Sequence, residues 1–177
     1  MKLKEIYKTY LRKFKPVEYL KKCGAQVGDN LYVYGKVSWG TEPWILTIGS
    51  NVHITDGVKL ITHDGGTLAF RHLVPDLEIT KPITIGDNVY FGNNVIVLPG
   101  VKIGSNVVIG AGAVVAKNIP DNSLAVGVPA KVIKTCNDYF EKIQRESLHL
   151  GNLKGKKKDK ALMRYFGYDE KIKGIYW

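Results

Sequence analysis

Between Ile79 and Pro120 seven consecutive six-residue units keep one register, and no other feature of the chain restricts its fold as much. The first position of each unit is aliphatic or Phe: Ile79, Ile85, Phe91, Val97, Ile103, Ile109, Val115. The fifth is small or β-branched: Ile83, Val89, Val95, Val101, Val107, Ala113, Ile119. Gly follows the first position at Gly86, Gly92, Gly104 and Gly110. Six residues turn an α-helix through about 600°, so a strict period of six cannot keep one helical face. A single extended strand is excluded because Gly and Asn interrupt it every few residues. Short strands joined by tight bends satisfy the period, and that arrangement is a parallel β-helix.

The residue types follow from the geometry. Three hexads make one triangular coil, and coils stack at about the 4.8 Å spacing of paired strands. First-position side chains point into the prism, where β-branched residues suit a buried pleated surface. Gly and Asn at the corners are expected to supply the positive φ of the bends.

Upstream, the same pattern appears at Val27–Tyr32 and Val33–Ser38, then resumes at Ile48–His53, Ile54–Lys59 and Leu60–Gly65. Between these blocks the register slips by three residues around Trp39-Gly-Thr-Glu-Pro-Trp44, which implies an insertion bulging from a corner. Two readings of this insertion are open. Trp39 and Trp44 beside Glu42 form an acceptor site, with aromatic stacking on a sugar ring and a carboxylate for its hydroxyls. Alternatively the two indoles plug the prism. Residues 64–78 break the period directly after His63 and read as a binding excursion from a rigid scaffold.

The flanks read as helical. In residues 1–22, Leu3, Ile6, Tyr7, Tyr10, Leu11 and Phe14 recur at helical spacing, Pro16 interrupts, and the segment is expected to cap the open end of the prism. Residues 23–135 are the β-helical domain. After Pro120 the chain is expected to leave the repeat. A C-terminal extension, 136–177, then holds a helix over 136–150 that includes His149, a Gly/Lys-rich link at 151–158 and a second short helix with Tyr165, Phe166, Tyr168, Tyr176 and Trp177 as packing groups. The fold class is therefore all-β with helical extensions at both ends.

Charge is concentrated at the ends of this 177-residue chain. The net charge is +10, residues 1–22 hold eight Lys/Arg against two Glu, and residues 154–173 hold eight against three acids. These are either solvated helical faces or basic surfaces that meet an anionic ligand or a membrane. The repeat faces show little interleaving of basic and aromatic residues on one side, which argues against a nucleic-acid partner. No apolar run approaches the ~20 residues of a membrane span. With no apolar leader at the N-terminus, Cys23 and Cys136 are read as free buried thiols in a reducing cytoplasm.

Among the four histidines, His53 is the sixth residue of its hexad and points outward, while His63 sits at a corner at the mouth of the excursion. A corner imidazole beside a binding loop has the pKa range and the exposure for general-base work. His53, His63 and His72 are spaced by ten and nine, out of step with an eighteen-residue coil, so no metal site is assigned.

The ordered set Ile61-Thr-His-Asp-Gly-Gly66, Pro82-Ile-Thr-Ile-Gly-Asp-Asn-Val-Tyr-Phe-Gly92, Gly110-Ala-Gly-Ala-Val-Val-Ala-Lys-Asn-Ile-Pro120 and Val126-Gly-Val-Pro-Ala-Lys-Val-Ile133 resembles the hexapeptide-repeat acyltransferases. Within them it is similar to the sugar O-acetyltransferases of the maltose/galactoside and capsular-polysaccharide type, over about residues 25–135. The resemblance implies a left-handed β-helix, a homotrimer with active sites between subunits, and acetyl-CoA as co-substrate. By the same match His63 is the base that deprotonates an acceptor hydroxyl, and the backbone N–H of Asn93 lies near the thioester. The main chain at Ala111 and Ala116 lines the pantetheine arm, and Lys117, Lys131 and Lys134 meet the CoA phosphates. Lys131 and Lys134 stand where relatives often carry Arg, which has the bidentate fork that Lys lacks. Glu42 and Asp64 are assigned to the acceptor or to the orientation of His63. The function expected is O-acetylation of a sugar hydroxyl in surface-polysaccharide assembly. The alternatives are N-acetylation of an amino sugar or xenobiotic and, in another class, a non-catalytic scaffold.

Overall fold

Strand pairing in the computed structural model, which describes residues 2–168, builds three sheets that form the faces of a coil. The first face holds β1 (Gln26–Val27), β3 (Leu46–Ile48), β6 (Ile83–Ile85) and β9 (Lys102–Ile103). The second holds β2 (Leu31–Val33), β4 (Val52–Ile54), β7 (Val89–Phe91), β10 (Val107–Ile109), β12 (Ser123–Val126) and β13 (Lys131–Thr135). The third holds β5 (Lys59–Leu60), β8 (Ile96–Val97) and β11 (Val114–Val115). Neighbouring strands run parallel, apart from β12 and β13.

The register confirms the arithmetic of the period. Val89 pairs with Val107 and Ile96 with Val114, eighteen residues on in each case. Leu31 pairs with Val52, twenty-one residues on, which is one coil plus the three-residue slip. His53 pairs with Tyr90, so the excursion leaves and re-enters without shifting the stack. Its base is pinned by an antiparallel bridge between His63 and Thr80, with Asp64 N–H donating to the Ile79 carbonyl and Lys81 N–H to that of Thr62.

Both inward positions of the hexad are filled as the pattern requires. Ile85, Phe91, Val97, Ile103, Ile109 and Val115 are buried, as are Ile83, Val89, Val95, Val101, Val107, Ala113 and Ile119. Each such Val, Ile or Phe side chain contributes on the order of 1.5–3 kcal/mol when removed from water. Ile79 is the exception at 37% exposed, because it still belongs to the returning excursion.

As expected, Asn and Gly at the corners supply the positive φ of the bends, Gly57, Gly100 and Gly112 among them, but the Gly after the first position does not. Asn94 carries it at the corner between the second and third faces, and Asn30, Asn51, Asn88, Asn106 and Asn122 at the corner between the first and second. There the side chains form a ladder: Asn30 Nδ2 donates to Asn51 Oδ1 (3.0 Å), Asn51 to Asn88 (3.2 Å) and Asn88 to Asn106 (3.1 Å). A second ladder runs beside it, in which Asp29, Ser50, Asp87 and Ser105 each donate a backbone N–H to the Ser or Asp side chain of the next coil. Gly86 has no positive φ and is required for another reason. A Cβ there would lie 2.8 Å from the Gly104 carbonyl of the next coil.

The repeat also ends later than expected. Beyond Pro120 the chain adds one more rung, β12, in register with β10, and Ser123, Leu124 and Ala125 are buried. β13 then folds back antiparallel across it after a cis Val128–Pro129 bond. At the other end α1 (Lys2–Phe14) and α2 (Pro16–Lys22) are separated at Lys15, as Pro16 dictates. Leu11, Tyr19 and Leu20 join the core and close the first coil. The rest of the α1 stripe does not: Leu3, Ile6, Tyr7, Tyr10 and Phe14 are exposed.

Residues divide into two compact units, Met1–Tyr139 and Phe140–Trp177. Helix α3 (Cys136–Glu146) ends before His149, which lies outside any helix with φ 53°. Helix α4 (Gly155–Tyr165) takes in the lysines read as a link, since Lys and Ala are good helix formers once the chain has passed Gly151. Tyr165, Phe166 and Tyr168 are exposed rather than packed. Tyr176 and Trp177 lie outside the described residues.

Candidate active site

Both departures from the hexad period occur at the same corner, between the third and first faces, in successive coils. The slip follows Ser38, which bridges to Lys59 of β5, and the excursion follows β5 itself. Glu42 and His63 are therefore stacked neighbours, one enlarged coil apart. Gly40 makes the approach feasible: its φ is 71°, and a Cβ there would collide with the Thr62 hydroxyl. Pro43, buried, opens a 3-10 turn over Pro43–Ile45 that fixes Glu42 at its start.

Four side chains meet at this corner. The Thr41 hydroxyl donates to Glu42 Oε1 and the buried Thr62 hydroxyl donates to Glu42 Oε2, both at 2.5 Å. His63 Nδ1 lies 3.0 Å from Thr41 Oγ1 and 3.3 Å from Glu42 Oε2. Counting protons assigns the tautomer. Each Thr hydroxyl hydrogen is already directed at the carboxylate, and an ionised carboxylate carries none, so the hydrogen facing these oxygens belongs to Nδ1. Nε2 is left with its lone pair, and the His63 side chain is 40% exposed.

Glu42 stays ionised. Its partial burial acts to raise the pKa, but the bonds from Thr41, Thr62 and His63, with the His63 charge, outweigh it and hold the carboxyl below its ordinary 4.5. An ionised partner fixes the imidazole orientation and stabilises its protonated form.

Other residues named from sequence fall elsewhere. Trp39 is buried at 3% in the core, so it plugs the prism and is no stacking platform for an acceptor; Trp44 is 58% exposed. Asp64 is committed to a turn: its Oδ1 accepts from Gly66 N–H (2.8 Å) and caps the 3-10 turn Gly65–Phe70. Asn93 is exposed at the corner between the second and third faces, its carbonyl accepting from Gly112 N–H, and Ala111 stands at that corner one coil later. Ala116 and Lys117 are exposed at the His63 corner, two coils or about 10 Å further along the axis. Lys131 and Lys134 lie on β13, Lys131 exposed and Lys134 half-buried. A single chain thus collects Thr41, Glu42, Thr62 and His63, and keeps Asn93 and Ala111 on a different corner. Thr41 and Thr62 were not singled out from sequence. The signal for them was the twenty-one-residue step from Glu42 to His63.

His53 is occupied otherwise, stacked on Tyr32 with centroids 4.6 Å apart and with Nδ1 2.9 Å from the Tyr34 hydroxyl. Among the described residues no three His, Cys, Asp or Glu side chains converge as a metal site would require.

The family described as bacterial transferase hexapeptide (six repeats) matches residues 82–117. Protein CapG of Staphylococcus aureus is 39% identical over 166 residues, covering 93% of this chain and 96% of CapG. The chain belongs to the hexapeptide-repeat acyltransferase family. It is also similar to the galactoside O-acetyltransferase of Escherichia coli, 38% identical over 138 residues, 75% of this chain and 66% of that one. A solved structure of a galactoside acetyltransferase in complex with coenzyme A superposes with a TM-score of 0.55 at 29% identity, covering 87% of each chain. The chain is accordingly an acyltransferase, and no described helix is long and apolar enough to cross a membrane.

Proposed function

We propose that this protein is an acetyl-CoA-dependent O-acetyltransferase that modifies a sugar hydroxyl of a surface polysaccharide or its precursor. The observation that carries the reading is the His63–Glu42 pair, with Nδ1 tied down and Nε2 free at the rim of the excursion. Nε2 accepts the proton of the acceptor hydroxyl as its oxygen attacks the thioester carbonyl. The C–S bond then breaks, the acetyl group stays on the sugar oxygen, and the proton on Nε2 passes to the departing thiolate. Through both steps Glu42 faces the imidazolium, so the charge that develops is opposed at 3.3 Å. No Cys or Ser stands next to His63 in sequence, which favours direct transfer over a covalent acyl-enzyme.

The homotrimer, left-handed coil and cytoplasmic setting belong to the same proposal. The separation of His63 and Asn93 onto different corners supports a site completed by a neighbouring subunit. The Asn93 N–H then serves the thioester oxyanion, the main chain at Ala111 and Ala116 the pantetheine arm, and Lys117, Lys131 and Lys134 the phosphates. Trp44 remains in the acceptor assignment.

The test is thiol release from acetyl-CoA with oligosaccharide acceptors. His63→Ala is expected to lower turnover by about 10²–10⁴, the usual worth of a general base, with coenzyme A affinity unchanged. Turnover near that of the wild type would remove His63 from the mechanism.

A further inference from the structure

The part of α1 that the core leaves uncovered has a definite chemistry. At 100° per residue, Ile6, Tyr10, Leu3, Phe14 and Tyr7 fall in that order within an arc of about 100°, and Leu11 borders it. Leu11 alone is buried, at 4%, and anchors the helix to the first coil. The other five are between 47% and 83% exposed. Lys13 borders one side of the arc and Lys4 lies just beyond Leu11 on the other, both exposed, with Lys8, Arg12 and Glu5 on the far side. α2 adds Lys21 and Lys22 against Glu18.

We propose that α1 is an interfacial anchor that lays its Leu3–Ile6–Tyr7–Tyr10–Phe14 face into an anionic lipid surface, with Lys4 and Lys13 at the headgroups. Charge complementarity selects this occupant. Exposed lysines border the apolar arc on both sides, which is the pattern of an in-plane amphipathic helix at an anionic membrane. Pairing of the same face with a second copy of α1 would bring those lysines against their own counterparts. Tyr7 and Tyr10 have the mixed character favoured at the membrane–water boundary, an apolar ring with a polar tip. The helix is fixed by Leu11 at one edge of its stripe, so the remainder is presented outward in a set orientation.

Flotation of the full-length protein with phosphatidylcholine vesicles, with and without 30 mol% phosphatidylglycerol, tests this. Binding is expected to the phosphatidylglycerol vesicles, weakened by salt. Replacing Lys4 and Lys13 by Ala is expected to lower that binding about twenty-five-fold, at about fivefold per charge. Ile6→Asp with Phe14→Asp is expected to abolish it while thermal melting and acetyl-CoA turnover on a soluble acceptor stay at wild-type levels. Equal binding to both vesicle types, or none, overturns the proposal. So does an Asp variant that changes the oligomeric mass in solution, which would assign the stripe to a subunit contact.

Discussion

Replacing Glu42 by Gln keeps the shape of the His63 corner and removes its charge. In the wild type the carboxylate lies 3.3 Å from His63 Nδ1. At an effective dielectric of about 20 that pair is worth about 5 kcal/mol once the imidazole is protonated. The side chains are 40% and 22% exposed, so solvent screening brings this to about 2 kcal/mol. Since the imidazolium forms only as the hydroxyl proton moves, the loss falls on kcat, which should drop about 30-fold, with little change in KM for acetyl-CoA. The amide also forces one Thr hydroxyl to turn from donor to acceptor, because Thr41 and Thr62 both donate to the carboxylate. Steady-state thiol release at saturating acetyl-CoA measures the effect. Stability supplies an independent check. Glu42 is depressed in the folded chain, so its ionised form stabilises the fold above the ordinary carboxylate pKa of 4.5, and that increment is lost as pH falls through the depressed value. The melting difference between wild type and Glu42→Gln should therefore shrink below pH 4.5. A kcat within threefold of wild type, together with a melting difference that is flat on acidification, would refute the assignment of Glu42 as the partner of His63.

Further outcomes follow from the corners. Asn88→Ala loses two ladder bonds and puts a residue without local side-chain support at φ 55°, a cost of about 2–3 kcal/mol. Asn88→Gly keeps the backbone freedom and should melt above the Ala variant in denaturant titration; the reverse order would sink the left-handed-bend argument. Gly86→Ala drives a Cβ to 2.8 Å from the Gly104 backbone and should cost about 1–3 kcal/mol. Thermal melting would register this as about 2–4 °C per kcal/mol, and an unchanged melt would show that the coils can separate freely. Lys117→Glu is expected to weaken coenzyme A binding about tenfold by calorimetry, and an unaltered Kd would take Lys117 out of the phosphate contacts.

Much of the scaffold was legible because the hexad period and the coil geometry are the same constraint seen twice. The three-residue slip even appears unchanged in the strand register between Leu31 and Val52. What escaped were positions where a neighbour in space overrides the local pattern. Ser123–Val126 has Val126 where the hexads carry Gly, after Ala125 at the first position, yet it lies on β10 because the last coil shortens to sixteen residues, Val107 to Ser123. Trp39 looks like an exposed insertion residue, but an indole on the prism side of a bulge fills the space the insertion opens. The α1 stripe has the spacing of a packed helix, and spacing alone does not say what it packs on. Glu42 and His63 could each be named from sequence, with the acceptor and the orientation of His63 both open for Glu42; the shared corner of the two departures brings it to His63.

The strand that doubles back at the end of the coil sets a limit on growth. Stacked parallel rungs are a one-dimensional crystal in miniature, and an open last rung would template the first rung of another molecule, as exposed sheet edges do in fibres. Here β13 occupies that edge of the second face in the opposite direction, and Tyr19 and Leu20 of α2 close the far end. The second face therefore offers no free parallel edge beyond β12 for another rung to extend.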